Sequence, residues 1–85
     1  MKMNKVLIKL GVPLIEKEYE VWIPTNKKVY DVINLLVKAI NELNIEKYNT
    51  ITFPMLYDKI SAQPYDSNLS IKEAKIKNGT ELILI

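Results

Sequence analysis

The sequence predicts an α+β fold in which one long helix lies across one face of a mixed sheet of four to five strands. The stretch Lys27–Asn44 has the apolar spacing of an amphipathic helix, and short alternating segments typical of strands lie on both sides of it. The apolar side of the helix is too wide to be covered by one neighbouring helix, so we expect a sheet beneath it. The 85 residues predict a single domain, 1–85, with one core.

The helix is predicted from apolar residues spaced three and four apart, which therefore share one side. Leu35 lies at a flank of this apolar stripe and widens it. Thr25 and Asn26, just before the helix, carry oxygens suited to cap its first turn. We expect Leu36 and Ile40 to be fully buried against the sheet. The predicted stripe consists of Val29, Val32, Ile33, Leu36, Ala39, Ile40 and Leu43.

Two strands are predicted before the helix as a hairpin. Lys5–Leu10 and Glu18–Ile23 alternate in the period of a half-buried strand. Pro24 ends the second strand, because proline has no N–H to donate to the sheet. Gly11 follows the first strand, and residues 12–17 are expected to form a connection longer than a two-residue turn.

The part of the chain after the helix predicts a third strand, a short helical turn and a closing strand. Ile51–Tyr57 is strand-like, and Pro54 within it indicates a bulge or an edge position. Leu69–Ala74 is predicted to form one helical turn. Gly79 supplies a residue that tolerates positive φ, and Glu81–Ile85 then alternates as the last strand.

Composition excludes several classes of site. The chain has no cysteine, which excludes disulfides and thiolate sites. It also has no histidine, which is the usual general base and a common metal ligand. Its formal net charge is +2 and all its basic residues are lysines, interleaved with glutamates, so we expect no nucleic-acid partner. No segment resembles a signal peptide or an apolar membrane span, so we expect no membrane insertion and a cytoplasmic protein.

Candidate catalytic groups are few and scattered. The carboxylates of Asp58, Asp66, Glu73 and Glu81 lie in predicted loops or on solvent faces, and no spacing brings two of them into one pocket. Asp66 and Asn68 have a calcium-loop spacing, but the accompanying glycine and distal glutamate are missing, so both are interpreted as turn formers. We therefore expect no enzyme activity, no metal and no cofactor.

The closing segment Leu69–Ile85 resembles the corresponding part of the ubiquitin β-grasp family. In that family an apolar residue begins a short turn, and Ile71 matches it. A second apolar residue packs into the core, and a residue in left-handed conformation then leads into the last strand. Ile76 and Gly79 match these two positions. Within the family, the Lys-Lys-Val opening of the helix and the run Ile-Lys-Asn-Gly-Thr-Glu-Leu-Ile-Leu are similar to the YukD/EsaB-type proteins associated with bacterial type VII secretion. The resemblance implies an accessory or regulatory protein that works through protein contacts.

The sequence departs from ubiquitin-like modifiers and sulfur carriers in one respect. These proteins require a flexible tail ending in Gly-Gly, whereas this sequence has no glycine after Gly79. A modifier or carrier function is therefore a disfavoured alternative. A non-catalytic subunit of a larger enzyme is a further alternative.

The expected binding surface is the sheet face that the helix leaves uncovered. If Val6, Ile8, Val21, Ile23, Leu82 and Leu84 point at the helix, alternation sends Leu7, Trp22, Ile83 and Ile85 to the open face as one contiguous apolar patch. Tyr57 is a further candidate. A second interpretation is that Trp22 only caps the sheet edge and Ile83 packs under lysine stems. The partner is expected to be a protein, which includes secretion-machinery components and a second copy of this chain.

Overall fold

The computed structural model describes residues 4–43 and 54–85, which form a four-stranded sheet and one long helix. Strand β1 is followed by a short 3₁₀ turn, strand β2, helix α1, and strands β3 and β4. The elements are β1 Lys5–Val12, the 3₁₀ turn Pro13–Ile15, β2 Lys17–Pro24, α1 Val29–Leu43, β3 Leu56–Asp58 and β4 Glu81–Leu84.

The predicted hairpin is present, with longer strands and a shorter connection than expected. β1 and β2 are antiparallel from Lys5 opposite Pro24 to Val12 opposite Lys17, so residues assigned to the connection are already paired. Val12 is fully buried, which places the end of β1 in the core. The chain reverses through the 3₁₀ turn and Glu16, whose left-handed φ of 54° lets its N–H reach the carbonyl of Pro13.

The sheet is mixed, with the order β2-β1-β4-β3. β4 runs parallel to β1 and antiparallel to β3, so the last strand lies in the middle of the sheet. Of the predicted strand Ile51–Tyr57, residues 51–53 lie outside the described residues, and Pro54 directly precedes the paired region. Ile85 follows β4 but still exchanges two backbone hydrogen bonds with Met55, at 2.8 and 3.0 Å.

The core lies between helix α1 and the sheet, as predicted. Leu36 and Ile40 are each 3% exposed, which confirms their predicted burial. Ala39 and Leu43, assigned to the same stripe, are exposed instead. Ala39 lies at one flank of the buried residues of the helix, whereas Leu43 lies beyond Ile40, the last buried helical residue. Among the described residues, the buried core consists of Ile8, Leu10, Val12, Ile23, Val29, Val32, Ile33, Leu36, Ile40, Leu56, Ile71, Ile76, Leu82 and Leu84.

The segment between β3 and β4 fixes the start of the helix. The N–H of Val29 donates to the carbonyl of Leu69 at 2.8 Å, and the N–H of Ile71 donates to the carbonyl of Lys27 at 2.9 Å. Ile71 is 0% exposed and Ile76 is 3% exposed, as their positions in the closing segment predict. Gly79 has the expected positive φ, at 84°.

Candidate interaction surface

The open face of the sheet carries all five residues predicted to bind a partner, in two separate groups. Leu7 and Trp22 lie directly opposite each other on β1 and β2. Trp22 is 51% exposed, and Leu7 is partly buried beside it. Ile8 and Ile23 were predicted to point toward the helix, and both are buried on that face of the sheet. We call the first group the Trp22–Leu7 pair.

The second group lies at the other end of the same face. Ile83 is opposite Gly11 on β1 and opposite Tyr57 on β3. Ile83 and Tyr57 are half-buried, whereas Ile85, two residues along the chain from Ile83, is 61% exposed. We call Tyr57, Ile83 and Ile85 the β3–β4 group.

A row of charged residues separates the two groups. Lys9 is opposite Glu20 on β2 and opposite Glu81 on β4. Lys59 adjoins Glu81 and donates its backbone N–H to the Glu81 carbonyl at 3.0 Å. The prediction of one contiguous apolar patch is therefore wrong. Alternation assigned each side chain to the correct face, but the register between β1 and β4 places opposite charges across the middle.

A shallow depression of about 370 Å³ lies along this charged row, over Gly11. A Cβ atom at Gly11 would lie 3.7 Å from the carbonyl oxygen of Leu82 and 4.0 Å from Cγ1 of Ile83, which are ordinary contact distances. A small side chain would therefore fit at Gly11, and it would lie within the depression. It is lined by Lys9, Leu10, Gly11, Glu18, Tyr19, Glu20, Lys59, Glu81 and Leu82.

The candidate acid Asp58 is engaged in local structure. The N–H of Ser61 donates to Oδ2 of Asp58 at 2.9 Å, and this bond and the Ser61 hydroxyl hold the pKa of Asp58 below its ordinary value. The Tyr65 hydroxyl donates to Oδ1 of Asp58 at 3.4 Å. Burial of the ring, together with the charge of Asp58, raises the pKa of Tyr65 to about 12. Asp58 is thus an ionised acceptor that orders residues 58–65.

Glu73 and Asp66 have comparable structural roles. Glu73 and Ser70 form a reciprocal pair, in which each backbone N–H donates to the other side chain, at 2.9 and 3.0 Å. These bonds hold the pKa of Glu73 below its ordinary value. Asp66 accepts from the N–H of Asn68 at 2.9 Å, which confirms its interpretation as a turn former. No group of three histidine, cysteine or acidic residues that could hold a metal occurs within residues 4–43 and 54–85.

An exposed apolar line runs along the helix, and the predictions from the sequence do not include it. Leu35 is 52% exposed and Leu43 is 70% exposed, and exposed Ala39 lies between them at four-residue spacing. The four-residue spacing is visible in the sequence, but the same spacing also predicts Ala39 and Leu43 to lie in the buried stripe.

Among the helices of the described residues, none has both the length and the apolar character that a membrane span requires.

Comparison with solved structures identifies the architecture. The ubiquitin-like domain of EccD5 from Mycobacterium xenopi superposes with a TM-score of 0.81 at 19% sequence identity, covering 98% of this chain and 94% of that chain. A chain of the MycP5-free ESX-5 inner membrane complex gives 0.81 at 17% identity, covering 98% of this chain and 21% of that chain. The ubiquitin-like domain of the Mycobacterium tuberculosis type VII secretion system protein ECCD1 gives 0.69 at 11% identity, covering 98% and 99%.

These similarities show that the chain has the ubiquitin-like β-grasp fold, in agreement with the mixed four-stranded sheet and the helix that residues 4–43 and 54–85 form. They agree with the resemblance found in the closing segment, since the solved structures include the ubiquitin-like domain of a type VII secretion system protein. No protein-family model matches the sequence, and no curated protein matches it significantly. At such low identities the similarity establishes the fold, and function must be inferred from the surface.

Proposed function

We propose that this chain is a non-catalytic protein-interaction module that serves a type VII secretion system as a cytoplasmic accessory or regulatory component. It binds a protein partner through the helix-free face of its sheet. One observation carries the proposal: Trp22 is 51% exposed, directly opposite Leu7, on a face that no other described element covers. Tryptophan is enriched among the residues that dominate binding energy at protein interfaces.

The physical basis is the cost of hydrating this face. Non-polar surface removed from water contributes about 25 cal/mol per Å². The Trp22–Leu7 pair and the β3–β4 group supply two apolar contact points, and the charged row between them supplies polar positions. This division resembles an interface in which apolar anchors are accompanied by groups that stay hydrated or pair with the partner.

The assignment to secretion is supported by structural similarity. The EccD5 domain is matched over 94% of its length, and the ECCD1 domain belongs to a type VII secretion system protein. A second matching chain is part of an inner membrane complex, of which this chain spans about a fifth, 21%. On this proposal, the present chain contacts proteins of such a machinery.

The absence of catalysis is supported by the chemistry of the candidate groups. Asp58 and Glu73 hold backbone N–H groups of their own loops and have lowered pKa values, so neither is available as a general acid near neutral pH. The sequence also contains no histidine or cysteine. These observations favour binding over chemistry.

The test is the substitution Trp22→Ala, with Leu35→Ala as its matched control. Both side chains are about half exposed, at 51% and 52%, but Leu35 lies on the helix and not on the open face. Trp22→Ala should weaken partner binding by about 2 kcal/mol or more, with little change in stability. Leu35→Ala should leave binding intact. Co-purification from a lysate of the source organism measures binding, and thermal unfolding measures stability.

The proposal fails if Trp22→Ala is stable and still captures every partner that the parent captures. A variant that unfolds readily would mean that Trp22 stabilises the fold. In that case Ile85→Ser, at a 61% exposed position of the β3–β4 group, tests the same face. Sedimentation of the purified chain shows whether the bound partner is a second copy.

A further inference from the structure

The two edges of the sheet differ in how they are covered. At the β3 edge, the N–H of Asp58 donates to the carbonyl of Gln63 at 2.9 Å, and the N–H of Tyr65 donates to the carbonyl of Leu56 at 3.0 Å. Residues 63–65 therefore cover the outer side of β3. β2 forms the opposite edge, and among the described residues no segment pairs with its outer side. An uncovered edge strand presents backbone groups that can pair with another chain.

The phase of the β1–β2 ladder shows which groups are free. The N–H of Thr25 donates to the carbonyl of Asn4 at 2.8 Å, and bonded pairs alternate along an antiparallel ladder. The β2 residues in the phase that bonds to β1 are therefore Lys17, Tyr19, Val21 and Ile23. The N–H and C=O groups of the intervening residues, Glu18, Glu20 and Trp22, point away from the sheet. Pro24 belongs to the same set of residues whose backbone groups point away from β1, but it has no N–H to donate.

The same three residues also give the edge a charge. Their side chains lie on the open face, where Glu18 and Glu20 are exposed and Trp22 is half exposed. Residues of an added strand would face them as cross-strand neighbours, and opposite charges stabilise such pairs. The edge is therefore suited to a strand with lysine or arginine opposite Glu18 and Glu20, and an apolar or basic residue beside Trp22.

This charge disfavours a second copy of the chain as the occupant. A two-fold antiparallel pairing of β2 with itself places Glu20 opposite Glu20, or Glu18 opposite Glu20 of the other copy, and like charges directly opposite are destabilising. The registers that avoid this place Pro24, which cannot donate a hydrogen bond, opposite Glu18, Glu20 or Trp22.

We propose that the free edge of β2 binds an extended segment of a partner protein as a fifth strand, with basic side chains at alternate positions facing Glu18 and Glu20. Backbone hydrogen bonds to Glu18, Glu20 and Trp22 hold the segment, and the two carboxylates select its charge. This inference deepens the proposed function and rests on it, because the added strand extends the same open face. It states that the bound part of the partner is an extended strand and that this strand carries basic side chains.

The experiment is an NMR titration of the ¹⁵N-labelled chain with a synthetic peptide of alternating lysine and valine. Amide shifts should concentrate at Glu18, Glu20 and Trp22. A peptide of alternating glutamate and valine should bind at least about tenfold more weakly, and raising the salt from about 50 to about 500 mM should weaken the lysine peptide. Glu20→Gln should weaken binding by about threefold, whereas the matched control Glu42→Gln on the exposed side of α1 should not.

The backbone bonds are tested in two independent ways. Glu20→Pro removes an N–H that points away from β1, so the hairpin ladder keeps all its bonds while peptide binding falls by about tenfold or more. A lysine–valine peptide that is N-methylated at the residues facing the edge tests the same bonds without altering the protein. It should bind as weakly as the unmethylated peptide binds to Glu20→Pro.

The outcomes separate this inference from the proposed function. Shifts confined to Leu7, Tyr57 and Ile83, with the edge amides unchanged, would overturn the edge site and leave open-face binding intact. No shift at millimolar peptide, or equal binding of the acidic peptide, would also overturn it. A concentration-dependent dimer that Glu20→Pro abolishes would identify a second copy as the occupant, against the proposal. Failure of the Trp22→Ala test would instead affect the proposed function.

Discussion

Leu7 donates its backbone N–H to Oδ1 of Asn78 at 2.7 Å. The next residue, Gly79, donates its own N–H to the Leu7 carbonyl at 2.8 Å, and its φ of 84° gives the chain the turn that leads into β4. These two bonds fix where β4 begins relative to β1. They therefore determine which open-face residues become neighbours, including Lys9 and Glu81 in the charged row.

The first prediction concerns this anchor. Asn78→Ala removes the acceptor for the Leu7 N–H and should lower the free energy of unfolding by about 1 kcal/mol. Asn78→Asp keeps an acceptor oxygen and should retain most of the stability. Urea unfolding of the three proteins gives the comparison. Equal losses in both variants would show that the hydrogen bond is not what Asn78 contributes.

The second prediction concerns the helix and the core. Leu36→Ala leaves a cavity at a 3% exposed position and should cost about 2–5 kcal/mol of unfolding free energy. Its neighbour Leu35 is 52% exposed, so Leu35→Ala should cost less than about 0.5 kcal/mol. Denaturant titration of the two variants measures the difference. A loss of less than about half a kcal/mol for Leu36→Ala would contradict the orientation of the helix.

Much of the fold could be predicted because alternation and helical spacing are local properties. The period of β2 alone places Ile23 toward the helix and Trp22 on the open face, and the structure agrees. The spacing in α1 likewise predicts that Leu36 and Ile40 are buried. These assignments depend on which side of one element a residue occupies, and not on how elements are paired.

The arrangement of the candidate site could not be predicted in the same way. Whether Trp22 and Ile83 adjoin depends on the register between β1 and β4, which are far apart in the chain and parallel. That register depends on the contact between Leu7 and Asn78, for which periodicity gives no signal. The free edge of β2 similarly follows from strand order, and strand order is a property of the assembled sheet.

The third prediction concerns acid stability. The Ser70 N–H stabilises the ionised form of Glu73, so the pKa of Glu73 lies below its ordinary 4.5 in the folded state. A lowered pKa contributes stability that is present above the unfolded value and is lost as the pH falls through the folded value. The parent should therefore lose more stability than Glu73→Gln between about pH 6 and pH 3. Glu42→Gln is the control, and parallel pH curves for parent and Glu73→Gln would contradict the prediction.

The last prediction concerns alkaline stability and Tyr65. Burial of its ring and the nearby charge of Asp58 disfavour the phenolate, which raises the pKa of Tyr65 from 10.0 to about 12. Because the folded value is the higher one, this contribution is complete below pH 10.0 and is lost as the pH rises through about 12. Tyr65→Phe has no proton to lose, so above pH 10.0 its stability should fall less steeply than that of the parent.

Two measurements check this prediction. Denaturant titrations of parent and Tyr65→Phe across the alkaline range give the two slopes, and the difference between their ultraviolet phenolate titrations isolates the single group. That difference should show a midpoint near 12, well above the 10.0 of an ordinary tyrosine. A midpoint at the ordinary value would mean that the Tyr65 ring is not packed against the core and Asp58. The ordering of residues 58–65 would then need another explanation, because the hydroxyl contact to Asp58 and the strand-like bond from Tyr65 to Leu56 both depend on that position.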